Sequence, residues 1–423
     1  MLYYILRPII RFALKIFFRK IYLSNLQNIP AGKPVILAAN HPTAFLEPCI
    51  LACFQSRGLY YLVRGDIFVR KFYIRLLRSL HMLPVYRKKD RGYKFIKQNY
   101  STFSTCHQTL AQKRMVMILA EGSCEHEKRL RPLMKGTARI AFGTLEEYPD
   151  IEDVYIVPVG VNYTYAERFR SEVYIDFGEP IPVRSFEKIY QENPNQGIND
   201  LTDSIRENLL PRVIHIEQAE DNELVENLFR FDRSRQKNNI LPIVSNDKKT
   251  LQREKRLADW VNQLSSEKKK MLKEKTAIYV DLLKKSGLDH CTRFEKSGSS
   301  IMLGLFFVIG FPFFLGGFIL GYPPMFLAAF VTHKRVKDIT FRSSILMAVG
   351  VAAWIIYLLI LLMVGLGFKL YFLFLVPIIG LFALFYMDLF DSWKCTWKYK
   401  RMPLKEKRAL EEAGETLEAM IKL

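Results

Sequence analysis

Three stretches near the C-terminus carry no formal charge: 297–332, 343–368 and 370–387. A helix needs about 20 apolar residues to cross the hydrocarbon core of a bilayer, and runs of this length have little use in a soluble core. They commit the chain to a membrane. The second and third are each close to one span. The first is too long for one helix and is punctuated by Pro312, Gly316, Gly317, Pro323 and Pro324, which predicts a helical hairpin, with a single tilted span as the alternative. Lys334, Arg335, Lys337 and Arg342 crowd the next loop, and the tail from 394 onward is also basic. Both are expected on the cytosolic face. An even number of crossings before 333 then keeps the N-terminal domain there too, which makes the chain a multi-pass protein with a cytosolic domain.

The rest of the chain is charged. Lys and Arg outnumber Asp and Glu by 62 to 42, a net +20. Such an excess serves either nucleic acid or an anionic membrane, and the apolar runs favour the lipid bilayer. A nucleic-acid partner would need a basic surface interleaved with stacking aromatics, or a known module. Neither is found. The cysteines at 49, 53, 106, 124, 291 and 395 lack CxxC or zinc-like spacing, so reduced thiols and no metal are expected. At the N-terminus Arg7, Arg11, Lys15 and Arg19 recur every four residues among Ile, Leu and Phe. That spacing gathers them on one side of a helix, opposite Phe12, Phe17 and Phe18, and suits the membrane interface. The alternative is a helix packed on the domain. The charges interrupt any signal-peptide core.

Between 25 and 215 short apolar runs alternate with helical patterns. Strands are expected at 34–39, 59–63, 82–86, 115–119, 155–161 and 173–177, and helices at 66–80, 90–112 and 134–147. The fold class is α/β, a mixed sheet flanked by helices, with functional side chains in loops at strand ends. The chain divides into an interface helix (1–24), the α/β domain (25–215), a helical basic connector (216–298), a transmembrane region (299–390) and a basic cytosolic tail (391–423). Charge runs in the connector, such as 267–275, read as solvated helix faces.

Four blocks carry the chemistry. Asn40-His41-Pro42-Thr43-Ala44-Phe45-Leu46-Glu47-Pro48 follows a buried strand. A His and an acid six positions apart can fold onto each other across a tight loop, the acid orienting the imidazole while its other nitrogen takes a hydroxyl proton. Pro48 suits the first residue of a helix, with Glu47 as N-cap. The second block, Arg64-Gly65-Asp66-Ile67-Phe68 and then His81 to Arg87, sets Arg87 at a strand end, where a planar guanidinium can match a phosphate. In the third, Glu121-Gly122-Ser123 closes a strand. Its glycine permits close backbone approach, and Lys128, Arg129, Arg131 and Lys135-Gly136 follow. Cys124 beside it reads as incidental. The fourth is a strand holding Pro158, whose missing N–H points to an edge or a pocket wall.

In this order and spacing the four blocks resemble the phospholipid/glycerol acyltransferase family, which includes glycerol-3-phosphate and lysophosphatidate acyltransferases. The resemblance covers roughly 25–215. It implies His41 as general base, oriented by Glu47. It also implies Arg87 on the acceptor phosphate, and Glu121 and Gly122 around the glycerol-phosphate part; Ser123, Lys135 and Pro158, read from the turn, the phosphate-suited cations and the pocket wall, complete the expected substrate-binding set. It implies acyl-CoA or acyl carrier protein as donor, and no metal or bound cofactor. Two features depart from the family pattern. The usual acid is Asp five positions after the His, where this chain has Leu46, and the Pro that precedes Glu-Gly is Ala120. Rival readings are an acyltransferase for another lysolipid and a non-catalytic membrane scaffold on a degenerate domain.

Overall fold

The computed structural model describes residues 2–86, 99–236, 241–288 and 301–421. They form two compact units. The first comprises Met1–His215, Leu241–Leu251 and Asp338–Ser344, and the second comprises Ile216–Ile240, Gln252–Lys337 and Ile345–Leu423.

The first unit is built on one sheet. Its strands are β1 (Lys20–Ser24), β2 (Val35–Ala39), β3 (Leu59–Arg64), β4 (Met82–Val85), β5 (Met115–Leu119), β6 (Tyr155–Tyr163), β7 (Glu172–Phe177), β8 (Ile181–Pro182) and β9 (Val244–Ser245). The order is β4-β3-β5-β2-β6-β7-β1-β9, with β8 on β6. The pairs β4-β3, β3-β5, β5-β2 and β2-β6 are parallel, and β6-β7 is antiparallel. The expected mixed sheet flanked by helices is therefore present. All five residues of β2 are buried, as a parallel strand covered on both faces requires. Ile36, Ala38, Val116 and Ile118 pack one face against helices Asn99–Ala111, Gly136–Glu147 and Pro194–Leu209.

Two local expectations change. The N-terminal helix ends at Phe17, and 20–24, read as part of it, forms β1. Ile21 and Tyr22 are strand formers and are buried, as are Phe17 and Phe18. Arg7 reaches the carbonyls of Gln55 and Ser56, and Arg11 lies 5.3 Å over the Phe54 ring. The exposed stripe is instead Tyr4, Ile5, Ile9 and Phe12. Second, β6 lies between β2 and β7, so Pro158 is central to the sheet and not at an edge. It sits in the gap between the β8 ladder at 155–156 and the β7 ladder at 159–163. The missing N–H therefore has no partner strand to disappoint, while the Pro158 carbonyl accepts from Gly178 N–H at 2.7 Å.

The second unit is helical. Helices Asn222–Ser234, Lys249–Asn262 and Ser266–Lys285 carry the charge runs of the connector. Some of these charges are buried in pairs. Arg233 grips Glu254 with two bonds of 2.7 and 2.8 Å, and Lys269 meets Asp221 at 2.7 Å. The helices Leu303–Arg335, Ile339–Gly367 and Tyr371–Arg401 are long and apolar enough to cross a membrane. The first is one continuous helix, Ile301–Arg335, and not a hairpin. Gly317 serves packing: a Cβ on it would meet the Ile379 carbonyl at 2.1 Å, the close approach that small residues allow between apolar helices. It runs antiparallel to both others, as the neighbours Gly321–Trp354 and Gly350–Ala328, and Phe307–Phe390 and Gly317–Ile379, show. Cys49, Cys53, Cys106 and Cys124 are free thiols, whereas Cys395 is disulfide-bonded, so the expectation of reduced thiols fails at that position.

Candidate active site

Adjacent parallel strands deliver their C-terminal ends to one edge of the sheet. Ala39 pairs with Leu119, which brings the loop after β2 beside the turn after β5. Asn40 extends the sheet by one step: its side-chain amide donates to Val161 O at 2.9 Å and accepts from Val161 N–H at 2.7 Å. The backbone thus leaves the sheet at His41.

The loop 41–47 is tied down donor by donor. His41 N–H donates to Glu121 Oε2 at 2.8 Å and Thr43 N–H to Glu47 Oε1 at 2.6 Å. Ala44 N–H donates to Thr340 O at 3.1 Å, Phe45 N–H to Ser344 Oγ at 3.2 Å, and Leu46 N–H to Thr43 Oγ1 at 3.3 Å. The His41 carbonyl accepts from Glu125 N–H at 3.2 Å. Every amide hydrogen from 41 to 46 is engaged, Pro42 having none.

This arrangement brings His41 and Glu47 together: Nδ1 lies 3.9 Å from Oε2, with side chains 12% and 0% exposed. That is ion-pair range and longer than a hydrogen bond, a spacing that tightens in many enzymes only when substrate is bound. Burial pushes the Glu47 carboxyl up to about 8, against the donation from Thr43. Its Oε2 has no hydrogen-bond partner among the described residues. Glu47 is not the N-cap that the sequence predicted. The helix is Leu46–Phe54 with Phe45 at its N-cap, so Glu47 and Pro48 lie in the first turn. The first-turn N–H groups are orphans in any helix, so a proline there costs no bond, and Glu47 accepts backward from Thr43 in the manner of a capping box.

Glu121 is buried in a bridge. Oε1 accepts from Arg131 N–H at 2.8 Å, and Oε2 takes the Arg131 guanidinium at 2.9 Å besides His41 N–H. Arg131 also donates to Ser123 Oγ at 2.9 Å. Gly122 has φ +71°, and a Cβ there would meet Met134 Cγ at 2.9 Å. This left-handed position beside a packed side chain requires glycine. Lys135 is exposed at the N-cap of Gly136–Glu147, next to Met134, whose N–H donates to Ala120 O at 2.7 Å. Glu121, Gly122, Ser123 and Lys135 therefore border the His41 loop, whereas Pro158 is buried inside the sheet beside Ala38. Arg87 lies outside the described residues. His81 stacks between Tyr3 and Tyr60, each at 4.2 Å, at the start of β4 and hence the opposite edge. Arg64 pairs with Asp66 at 2.6 Å, and Cys124 Sγ meets Thr340 Oγ1 at 3.6 Å.

Sequence reasoning missed Asn40, the Arg131–Glu121 bridge and the segment 338–344. Asn immediately after an apolar strand was a visible signal for the first. The other two are tertiary and have none. Among the described residues no cluster of His, Cys, Asp or Glu is arranged to hold a metal ion.

The family model described as "Acyltransferase" matches residues 20–162. Glycerol-3-phosphate O-acyltransferase 1 of Saccharomyces cerevisiae is 34% identical over 103 residues, 24% of this chain and 13% of that protein. Glycerol-3-phosphate O-acyltransferase 2 of the same yeast is 30% identical over 112 residues, 26% of this chain and 15% of that one. The chain thus spans about an eighth to a seventh of the length of these curated relatives. The crystal structure of the 1-acyl-sn-glycerophosphate acyltransferase PlsC from Thermotoga maritima is similar at 17% identity and a TM-score of 0.34, over 48% of this chain and 79% of that one. Residues 20–162, with the strand-end loop that carries His41 and Glu47, are an acyltransferase-family segment by their match to that model.

Proposed function

We propose that this chain is a membrane-embedded O-acyltransferase. It moves a fatty acyl group from the thioester of acyl-CoA or acyl carrier protein onto the hydroxyl of glycerol-3-phosphate or 1-acylglycerol-3-phosphate. The observation that carries the reading is the His41–Glu47 pair, held in a fully bonded loop at a sheet edge inside the acyltransferase-family segment.

In this mechanism His41 Nε2 takes the proton of the acceptor hydroxyl, and Glu47 faces the Nδ1 side and favours the imidazolium that forms. The oxygen attacks the thioester carbonyl, the tetrahedral intermediate expels the thiolate, and the imidazolium proton passes to the thiolate. No acyl-enzyme is formed. Arg87 and Lys135 bind the acceptor phosphate, and Gly122 and Ser123 let the glycerol part approach the backbone. Glu121 acts through the His41 amide. Pro158 shapes the sheet beneath the loop.

The N-terminal helix Leu2–Phe17 lies in the membrane interface with its exposed Tyr4, Ile5, Ile9 and Phe12 towards lipid. The α/β unit is at the cytosolic face of a multi-pass protein. Arg342 of the basic run falls within the α/β unit and supports this, although the single helix Ile301–Arg335 removes the even number of crossings expected before 333.

The test supplies labelled acyl-CoA with each acceptor in turn to native protein, His41→Ala and Arg87→Ala in membranes. The expected result is transfer to a glycerol-phosphate acceptor, loss in the first variant and a raised acceptor KM in the second. Transfer within tenfold of native by His41→Ala overturns the base assignment. No transfer by the native chain to any acceptor overturns the enzyme reading in favour of a scaffold.

A further inference from the structure

The segment Asp338–Ser344 opens the long apolar helix Ile339–Gly367, yet it packs inside the α/β unit. Thr340 is 8% exposed and Ser343 and Ser344 are 0% exposed. Asp338 shapes it: Oδ1 accepts from both the N–H of Thr340, at 2.9 Å, and its hydroxyl, at 2.8 Å. The Phe341 N–H returns to the Asp338 carbonyl at 3.2 Å.

The segment so fixed presents two acceptors to the loop 41–47. They are Thr340 O for Ala44 N–H and Ser344 Oγ for Phe45 N–H, the latter pair 299 positions apart in the chain. The remaining amides of the loop find acceptors on Glu121, Glu47 and Thr43. Ala44 and Phe45 alone rely on 338–344. They stand between His41 and Glu47, so their anchorage sets the distance between imidazole and carboxylate. Cys124 meets Thr340 as well, so the same segment also touches the chain just beyond the 121–123 turn.

We infer that Asp338–Ser344 is a positioning element for the general-base loop, its bonds to Ala44 and Phe45 coupled to the His41–Glu47 geometry. This rests on the reading of His41 as base. The buried hydroxyl of Ser344 is the side-chain atom that makes the coupling testable.

The experiment compares native protein, Ser344→Ala and Ser344→Thr as full chains in lipid nanodiscs. It reads kcat, acceptor KM and amide hydrogen exchange over 43–46. The alanine variant should lose about tenfold in kcat, the scale of one hydrogen bond, with KM unchanged and exchange at 44–45 accelerated. The threonine variant, which keeps the acceptor oxygen, should restore both. Asp338→Ala, which leaves the loop's own side chains intact, should give the same signature and serves where Ser344→Ala fails to fold. Unchanged kcat and unchanged exchange in Ser344→Ala overturn the inference while leaving the base assignment standing. Should the native chain prove inactive, the enzyme reading falls on its own, and exchange at 44–45 still decides whether 338–344 holds the loop.

Discussion

Replacing Glu47 by glutamine separates the ionised from the neutral form of this side chain without changing its shape. Burial carries the carboxyl from 4.5 to about 8. At 1.36 kcal/mol per pKa unit, ionising it inside the fold costs on the order of 5 kcal/mol more than in the unfolded chain. Its folded value lies above its unfolded one, so between these two pH values the unfolded chain binds fewer protons. Stability therefore falls as pH rises from 4.5 to 8 and levels off above. By pH 7 the loss is roughly 3 kcal/mol. Glu47→Gln, whose amide oxygen still accepts from Thr43 N–H, should flatten this slope in thermal midpoints measured from pH 5 to 8.5. The catalytic consequence has the opposite sign. Only the carboxylate favours an imidazolium, and its population rises about tenfold per pH unit below its pKa. The ratio of native to Glu47→Gln kcat/KM for acyl transfer should therefore climb about tenfold per unit from pH 6 and level off near 8. The apparent value belongs to the pair with His41. A ratio that is flat from pH 6 to 9, or largest at pH 6, would refute the reasoning.

Three further outcomes are expected. Asn40→Ala removes both bonds to Val161, leaving a buried N–H and C=O unmet; it should cost about 2–4 kcal/mol, read as a lower thermal midpoint together with lost activity. Arg131→Ala strands the buried Glu121 carboxylate and should destabilise by about 3–5 kcal/mol. Adding Glu121→Gln to it should recover much of that loss, and a double variant no better than the single would contradict the bridge. Ile9→Glu with Phe12→Glu, both in the exposed stripe, should weaken binding of the isolated segment 2–17 to anionic vesicles by more than tenfold, measured by flotation.

Much of the fold was legible because parallel strands buried on both faces announce themselves as short apolar runs. Val35–Ala39 and Met115–Leu119 did so, and their adjacency then placed His41 beside Glu121. β1 was hidden because Lys20 to Ser24 directly follows the four-residue recurrence of basic groups that ends at Arg19, and a strand of five residues cannot outweigh that pattern. The glycines and prolines of 301–335 read as breaks, but at Gly317 the helix surface needs room for a neighbour. Glu47 was recognised by spacing, yet its place in the first helical turn depends on Thr43, which no periodicity reveals. The contribution of 338–344 was out of reach entirely. Its carbonyl and hydroxyl accept from the amides of Ala44 and Phe45, the latter 299 positions away, and sequence pattern does not encode such meetings.

The exhausted amides of the loop 41–46 decide where negative charge cannot be met. In the proposed acyl transfer a tetrahedral adduct places an oxyanion near His41, and such a reaction is accelerated chiefly by donors aimed at that atom in advance. No backbone hydrogen from 41 to 46 is free for the purpose. The charge must be received by groups outside the loop, and a stable phosphonate mimic of the intermediate should owe its affinity to them.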